Sequence, residues 1–359
     1  MPGLYVHIPF CRKKCGYCDF ASVAGAGRAG EYLEALEKEA AACAHLAGAF
    51  DTLYIGGGTP SLLAPAQLEK LFSITAALTG ELKEATFEAN PESLDAEKAA
   101  LLRRAGINRV SLGLQASQDR LLRGLGRVAM AADFDRAFKS LRAAGFDNIS
   151  ADLMCGLPGQ SLADFREALA WLLAREPEHV SLYALEVHEG TPFYRAGVKE
   201  APDAAVEMYE AAASALAAAG LERYEVSNFA RPGRRCRHNL NYWEQGEYLG
   251  LGAAAASYLA GERRTNAAGL DTYLATAAAH GRPAAQSQET LAGRAKLAEK
   301  IMLGLRKTGG IELESDIIKE FSGEIDRLLA LDLIEKHGRA IRIKSSRIYL
   351  SNAVFREFV

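Results

Sequence analysis

Residues 5–20 read YVHIPFCRKKCGYCDF, with cysteines at Cys11, Cys15 and Cys18. The stretch before Cys11 is β-branched and aromatic, the composition of a strand. The cysteines follow at once, in a C-x3-C-x2-C spacing, on the loop that leaves the strand. Folds built of β/α units place their chemistry on such loops, at the C-terminal ends of the strands.

Working outward, six short strand-like runs recur at 3–10, 51–58, 85–91, 109–115, 148–158 and 179–187. Between them lie segments with helical spacing: Glu31 to Leu46, Gln67 to Leu78, Leu94 to Ala105, Phe134 to Ala144, Ala163 to Ala174 and Ala204 to Ala219. Several of these end in an Ala-Gly pair, at Gly106, Gly145 and Gly220, a C-cap signal. Strands alternating with helices imply parallel pairing, because each crossover needs a helix to return the chain. The fold class is therefore α/β, and spacing alone leaves a doubly wound sheet and a barrel both open. The rhythm predicts one β/α domain over residues 1–225. Residues 226–290 read as a turn-rich connecting segment with arginines, an aromatic cluster and little strand character. Residues 291–359 read as a small α+β, winged-helix-like C-terminal domain of helices followed by a hairpin.

The chain of 359 residues is long for a single core, in keeping with one large domain and a smaller one. With 49% hydrophobic and 24% charged residues it is neither disordered nor fibrous. A formal charge of -3 argues against broad binding to nucleic acid or anionic membrane, and no nucleic-acid partner is expected. No apolar run approaches the ~20 residues that span a bilayer. The basic residues at the N-terminus follow the apolar stretch, the reverse of a signal peptide. These features point to a cytoplasmic protein.

Of six cysteines, three fall within eight residues, while Cys43, Cys155 and Cys236 stand alone. A tight cluster in a reduced compartment reads as metal binding rather than as a disulfide framework. Three thiolates bind a [4Fe–4S] cluster with one iron left open, whereas structural zinc is held by four ligands. Zinc completed by His7, or three unrelated thiols, is the competing reading. Lys13 and Lys14 beside the cysteines favour the thiolate forms.

With its flanking residues, the motif resembles the radical S-adenosylmethionine (AdoMet) superfamily. The match is to the branch that holds oxygen-independent coproporphyrinogen III dehydrogenase and the HemW-type haem chaperones, and it runs nearly end to end. The resemblance implies a partial (β/α)6 barrel and a [4Fe–4S] cluster on Cys11, Cys15 and Cys18, with AdoMet on the unique iron. It assigns Tyr5, Gly57 and Glu88 to that AdoMet. Tyr17, Gly58, Thr59, Gln115, Arg127, Asp152 and Ala184 match positions that serve a second AdoMet in the dehydrogenase. Gly56-Gly57-Gly58-Thr59-Pro60 suits such a role, since glycines let backbone approach a ligand closely.

Three features separate the branches. The dehydrogenase carries a further cysteine where this chain has Phe20, and it has an N-terminal extension before the first strand. The segment His238-Asn239-Leu240-Asn241-Tyr242-Trp243 matches the HNxxYW motif of the chaperones. Haem iron needs an axial donor, which His238 or Cys236 could supply. Tyr242 and Trp243 could cover the porphyrin face, and Arg231, Arg234, Arg235 and Arg237 could pair with its propionates. The expectation is a carrier, not an enzyme, that takes haem to haem-accepting respiratory proteins. A reductant such as flavodoxin or ferredoxin would serve its cluster, and transient contact with a membrane surface stays open. The alternative is coproporphyrinogen III dehydrogenase or a related radical enzyme of tetrapyrrole metabolism.

Overall fold

The structure is a computed structural model and describes residues 2–358. Six strands run parallel in chain order: β1 (Gly3–Ile8), β2 (Phe50–Gly57), β3 (Thr79–Ala89), β4 (Arg109–Gln115), β5 (Ile149–Cys155) and β6 (His179–Ala184). The crossovers are α1 (Ala29–Ala42), α2 (Pro65–Ala76), α3 (Ala96–Arg104), α4 (Ala131–Ala143) and α5 (Leu162–Leu173). After β6 comes α6 (Pro202–Ala218). Sequential parallel pairing with a helix after each strand is the order of a (β/α)6 partial barrel. In β1, Leu4, Val6 and Ile8 alternate into the core and are fully buried, while Tyr5 and His7 face the other way. The whole of β4 is buried, as a central parallel strand covered on both faces must be.

The barrel does not close on itself. Beyond β1 the sheet continues through the parallel β9 (Tyr248–Leu251), then the antiparallel β10 (Ala256–Leu259), β11 (Glu262–Asn266) and β12 (Ala285–Thr290). Beyond β6 lie the antiparallel β8 (Asn228–Ala230) and β7 (Glu222–Arg223). The segment expected to have little strand character therefore extends both edges of the sheet. Its strands carry no alternating signal to read: β12 is Ala-Gln-Ser-Gln-Glu-Thr and exposed throughout, held by its ladder to β11. The same segment holds the short helix α7 (Arg237–Trp243) and α8 (Leu270–His280), which packs on α1.

The C-terminal part has its own core. Helices α9 (Gly293–Gly304) and α10 (Ser315–Ala330) pack Ile301, Leu305, Ile317, Phe321 and Leu328 against Ile334 and Ile341 of a small antiparallel sheet. That sheet is ordered β13 (Ile311–Glu312), β15 (Ala340–Ile343), β14 (Ile334–His337). The module is tied to the barrel by backbone bonds from Val226 N to Arg306 O (3.0 Å) and from Thr308 N to Tyr224 O (3.1 Å). No helix among the described residues is long and apolar enough to cross a membrane.

Candidate functional site

A cavity of about 610 Å³ opens at the C-terminal ends of the parallel strands. The loop after β1 contributes Cys11, Cys15, Tyr17 and Cys18. The ends of β2 to β6 contribute Gly57, Gly58 and Thr59, then Glu88, Gln115, Asp152 and Ala184, and the chain after β4 adds Arg127. Residues far apart in sequence are thus brought together on one surface.

Local geometry explains the glycines. Gly57 sits at φ +106°, where a side chain is strained, and a Cβ there would fall 2.6 Å from the His7 ring. A Cβ on Gly58 would lie 2.7 Å from the Phe10 carbonyl oxygen. The turn is therefore pressed against the end of β1, beside the cysteine loop. Its Gly57 amide donates to Glu88 Oε2 (3.1 Å), and the Tyr54 hydroxyl donates to Glu88 Oε1 (2.6 Å). Burial raises the Glu88 carboxyl to about 7, against those two donors. Burial likewise raises Asp152, opposed by hydrogen bonds from Ser181 and Ser111, the latter at 3.1 Å. Gln115 is a buried non-glycine residue at φ +69°, a strain of the kind that clusters at binding sites.

Arg127 was legible only by resemblance, and its supports were not legible at all. Its Nη1 donates to Asn90 Oδ1 (3.1 Å) and its Nη2 to Gly113 O (2.9 Å). Asn90 Nδ2 donates to Thr59 Oγ1 (3.0 Å), whose hydroxyl lies 3.5 Å from Cys11 Sγ. Asn90, Ser111 and Tyr54 thus buttress the candidate site residues, and sequence reasoning missed them. Asn90 follows directly on the end of β3, whereas Ser111 and Tyr54 lie within their strands and carry no local signal.

The cysteine environment differs from expectation. Burial raises the thiols of Cys15 and Cys18, the latter to about 11. The main charge opposing this at Cys15 is Arg127, with Lys14 a lesser influence at Cys18, where the Phe20 N–H also helps. Lys14 acts in the expected direction at Cys18, against the larger effect of burial. The zinc alternative loses its fourth ligand. His7 Nδ1 is 2.9 Å from the Tyr5 hydroxyl and Nε2 is 2.8 Å from Ala21 O, so both ring nitrogens are engaged. A single ion needs its donors within roughly 2.0–2.3 Å of one point. Among the described residues no three His, Cys, Asp or Glu side chains converge to hold one. Cys11, Cys15 and Cys18 line one cavity, and three thiolates are the donor set that leaves one iron of a [4Fe–4S] cluster open.

Tyr5 is absent from this cavity. With His7 it lines a second cavity of about 630 Å³, walled by Tyr242, Trp243, Tyr248, Tyr258, Met302 and Leu303. Asp19 and Phe20 line both cavities. The second holds an ion pair, Arg263 to Glu299 at 2.5 Å. Trp243 Nε1 is buried without a hydrogen-bond partner, and the Arg306 guanidinium lies 4.5 Å over its ring.

The haem-ligand candidates are not presented to either cavity. His238 is fully buried, with Nδ1 2.8 Å from Thr52 Oγ1 and Nε2 2.8 Å from the Tyr242 hydroxyl. Burial holds its imidazole neutral, with the pKa lowered to about 3. Cys236 is also fully buried, its thiol donating to Glu84 Oε1 (3.3 Å) and pushed up by burial. The reason is structural. Glu84 also accepts from the Arg237 and His238 amides (2.8 and 3.1 Å), capping α7 and pulling its first turn into the barrel. The expected propionate cations are elsewhere too. Arg234 pairs with Asp147 and Arg235 with Glu222, Arg231 bonds the Pro177 and Ala219 carbonyls, and none of these nor Arg237 lines a cavity. The arginine that lines the second cavity is Arg263, on β11, which no motif marked.

A parallel (β/α)6 half-barrel with three cysteines at its mouth defines the class: residues 5–172 match the Radical SAM superfamily. The chain is 37% identical over 366 residues to the haem chaperone HemW of Bacillus subtilis (strain 168), covering 98% of this chain and 96% of that protein. It is 39% identical over 260 residues to HemW of Escherichia coli (strain K12), covering 70% of this chain and 69% of that one. The chain belongs to the HemW family of haem chaperones within that superfamily. The fold also superposes on coproporphyrinogen III oxidase (HemN) from Escherichia coli with a TM-score of 0.86, over 99% of this chain and 90% of that one. At 24% identity that likeness establishes the fold alone.

Proposed function

We propose that this chain holds a [4Fe–4S] cluster on Cys11, Cys15 and Cys18 and AdoMet beside it, and carries one haem for delivery to respiratory proteins. One observation carries the cofactor reading. A single cavity gathers three cysteine thiols, the Gly57–Thr59 turn and polar side chains from the ends of the parallel strands. The buried carboxyls of Glu88 and Asp152 and the Arg127 guanidinium give that cavity both signs of charge, as a zwitterionic ligand requires. Glu88 and Gly57 would hold the AdoMet next to the cluster. Gln115, Arg127, Asp152 and Ala184, with Tyr17, Gly58 and Thr59, would line the room for a second. The cluster, when bound, supplies low-potential electron chemistry.

We assign haem to the second cavity, where four tyrosines and Trp243 offer flat apolar walls; Arg263, the arginine that lines it, is paired with Glu299. Tyr5 then belongs to the haem side rather than to AdoMet. The natural setting is the cytoplasm, with flavodoxin or ferredoxin as reductant.

The test is anaerobic reconstitution. Cys15→Ala should lose the charge-transfer absorption of the cluster, and full retention would remove the ligand assignment. Asp152→Ala should bind AdoMet more weakly in equilibrium dialysis, and equal affinity would remove Asp152 from the site. Conversion of coproporphyrinogen III by the loaded protein with AdoMet and reductant would replace the carrier reading with the dehydrogenase.

A further inference from the structure

We infer that Phe20 supplies an aromatic face on which the haem stacks, at the rim shared by the two cavities. The inference rests on the haem reading of the second cavity and adds to it a residue outside the HNLNYW segment. Phe20 is 58% exposed, yet it lines the cavity that also contains Tyr242 and Trp243. A solitary exposed aromatic needs no explanation by itself. This one is held in place.

The loop that carries it is fastened at every turn. The Phe20 carbonyl accepts from Lys14 Nζ (3.0 Å) and from Ser22 Oγ (3.4 Å). The next carbonyl, of Ala21, is bonded by His7 Nε2 (2.8 Å), and Val23 N donates to Pro9 O (2.7 Å). The backbone on both sides of the ring is therefore fixed while the ring itself is left uncovered. A flat macrocycle seated against Tyr242 and Trp243 would cover it. Stacking plus burial of a phenyl ring is enough to change affinity measurably.

The same bonds tie the ring to the cluster loop, since Lys14, which donates to the Phe20 carbonyl, lies between Cys11 and Cys15. Seating of haem on Phe20 would thus take place against the loop that holds Cys18.

The experiment is an anaerobic haem titration, followed by absorption, on the cluster-loaded full chain and on Phe20→Ala, Phe20→Trp and Leu331→Ala. Leu331 is equally exposed at 58% but lines neither cavity. Iron content and AdoMet affinity are measured on each protein. Phe20→Ala should bind haem about tenfold more weakly with iron and AdoMet unchanged. Phe20→Trp should restore affinity, and Leu331→Ala should match the parent. Equal haem affinity of Phe20→Ala and parent would overturn the inference, as would loss of haem only together with loss of iron. If the parent takes up no haem, the haem reading itself fails and the inference falls with it.

Discussion

His238 and Tyr242 face each other across one turn of α7, with the imidazole Nε2 2.8 Å from the phenol oxygen. The other ring nitrogen meets Thr52 on β2, and the ring packs 5.2 Å from that of Tyr54. A Cβ on Gly3 would come within 2.8 Å of the imidazole, so β1 is built around it. The histidine thus clamps α7 to the barrel, and Tyr242, which it holds, is a wall of the second cavity.

Replacing His238 with alanine should therefore act on stability first. Two hydroxyls lose their partner and a cavity opens, together worth about 2–4 kcal/mol. Chemical denaturation of the apoprotein should show a lowered midpoint. A midpoint equal to the parent's would contradict the clamp. Haem loss in such a variant is informative only beside Tyr242→Phe, which removes one bond and should cost about 1 kcal/mol.

Glu84 is the second anchor of the same helix. It accepts from the amides of Arg237 and His238 and from the thiol of Cys236, and its charge faces Arg109, which is 2% exposed. Glu84→Ala leaves the Cys236 thiol and two α7 amides without their acceptor and should destabilise by about 2–4 kcal/mol. Glu84→Gln, which keeps an acceptor, should cost less. Equal losses for both variants would show that the charge is immaterial.

Glu88 predicts a pH signature. Its carboxyl is raised from 4.5 to about 7 by burial, so the folded state holds the proton more tightly than the unfolded chain does. Below pH 4.5 both states are protonated and the group contributes nothing. As pH rises through that value towards 7 the unfolded chain ionises first, and stability is lost until both states are ionised. Glu88→Gln should remove this fall, so the variant gains on the parent from pH 5 to pH 7.5. Parallel stability curves would rule out the buried carboxyl as the source. In the same range AdoMet should bind the parent more tightly as Glu88 ionises, and the variant should lack that trend.

Much of this arrangement was open to reading from local signals. The six parallel strands announce themselves because each is a short β-branched run followed by a helical period, and the cysteine spacing marks the mouth of the barrel. Gly57 and Glu88 could be placed because they terminate such runs. The remainder depends on pairing. The strand β9 is recruited by β1 across more than two hundred residues, and β12 has no apolar face to betray it. His238 sits in a motif that suggests a ligand, yet its burial follows from Thr52, Tyr54 and Glu84 on neighbouring strands. Tyr5 lies on the opposite face of β1 from Leu4 and Val6, but which cavity that face meets depends on α7 and on Tyr248 of β9. Arg263 gives no local sign of its position, because β11 reaches the second cavity only through the ladders of β9 and β10.

Haem carriage in the second cavity is tested by titrating haem anaerobically into the cluster-loaded protein and into Trp243→Ala. Trp243 walls the second cavity and makes no hydrogen bond through Nε1, so its removal opens the proposed haem wall without breaking a hydrogen bond, at the loss of the ring under Arg306. The parent should saturate at one haem per chain and the variant should bind at least about tenfold more weakly, with cluster absorption equal in both. Absence of saturable binding by the parent, or equal affinity in the two proteins, would contradict haem carriage in that cavity.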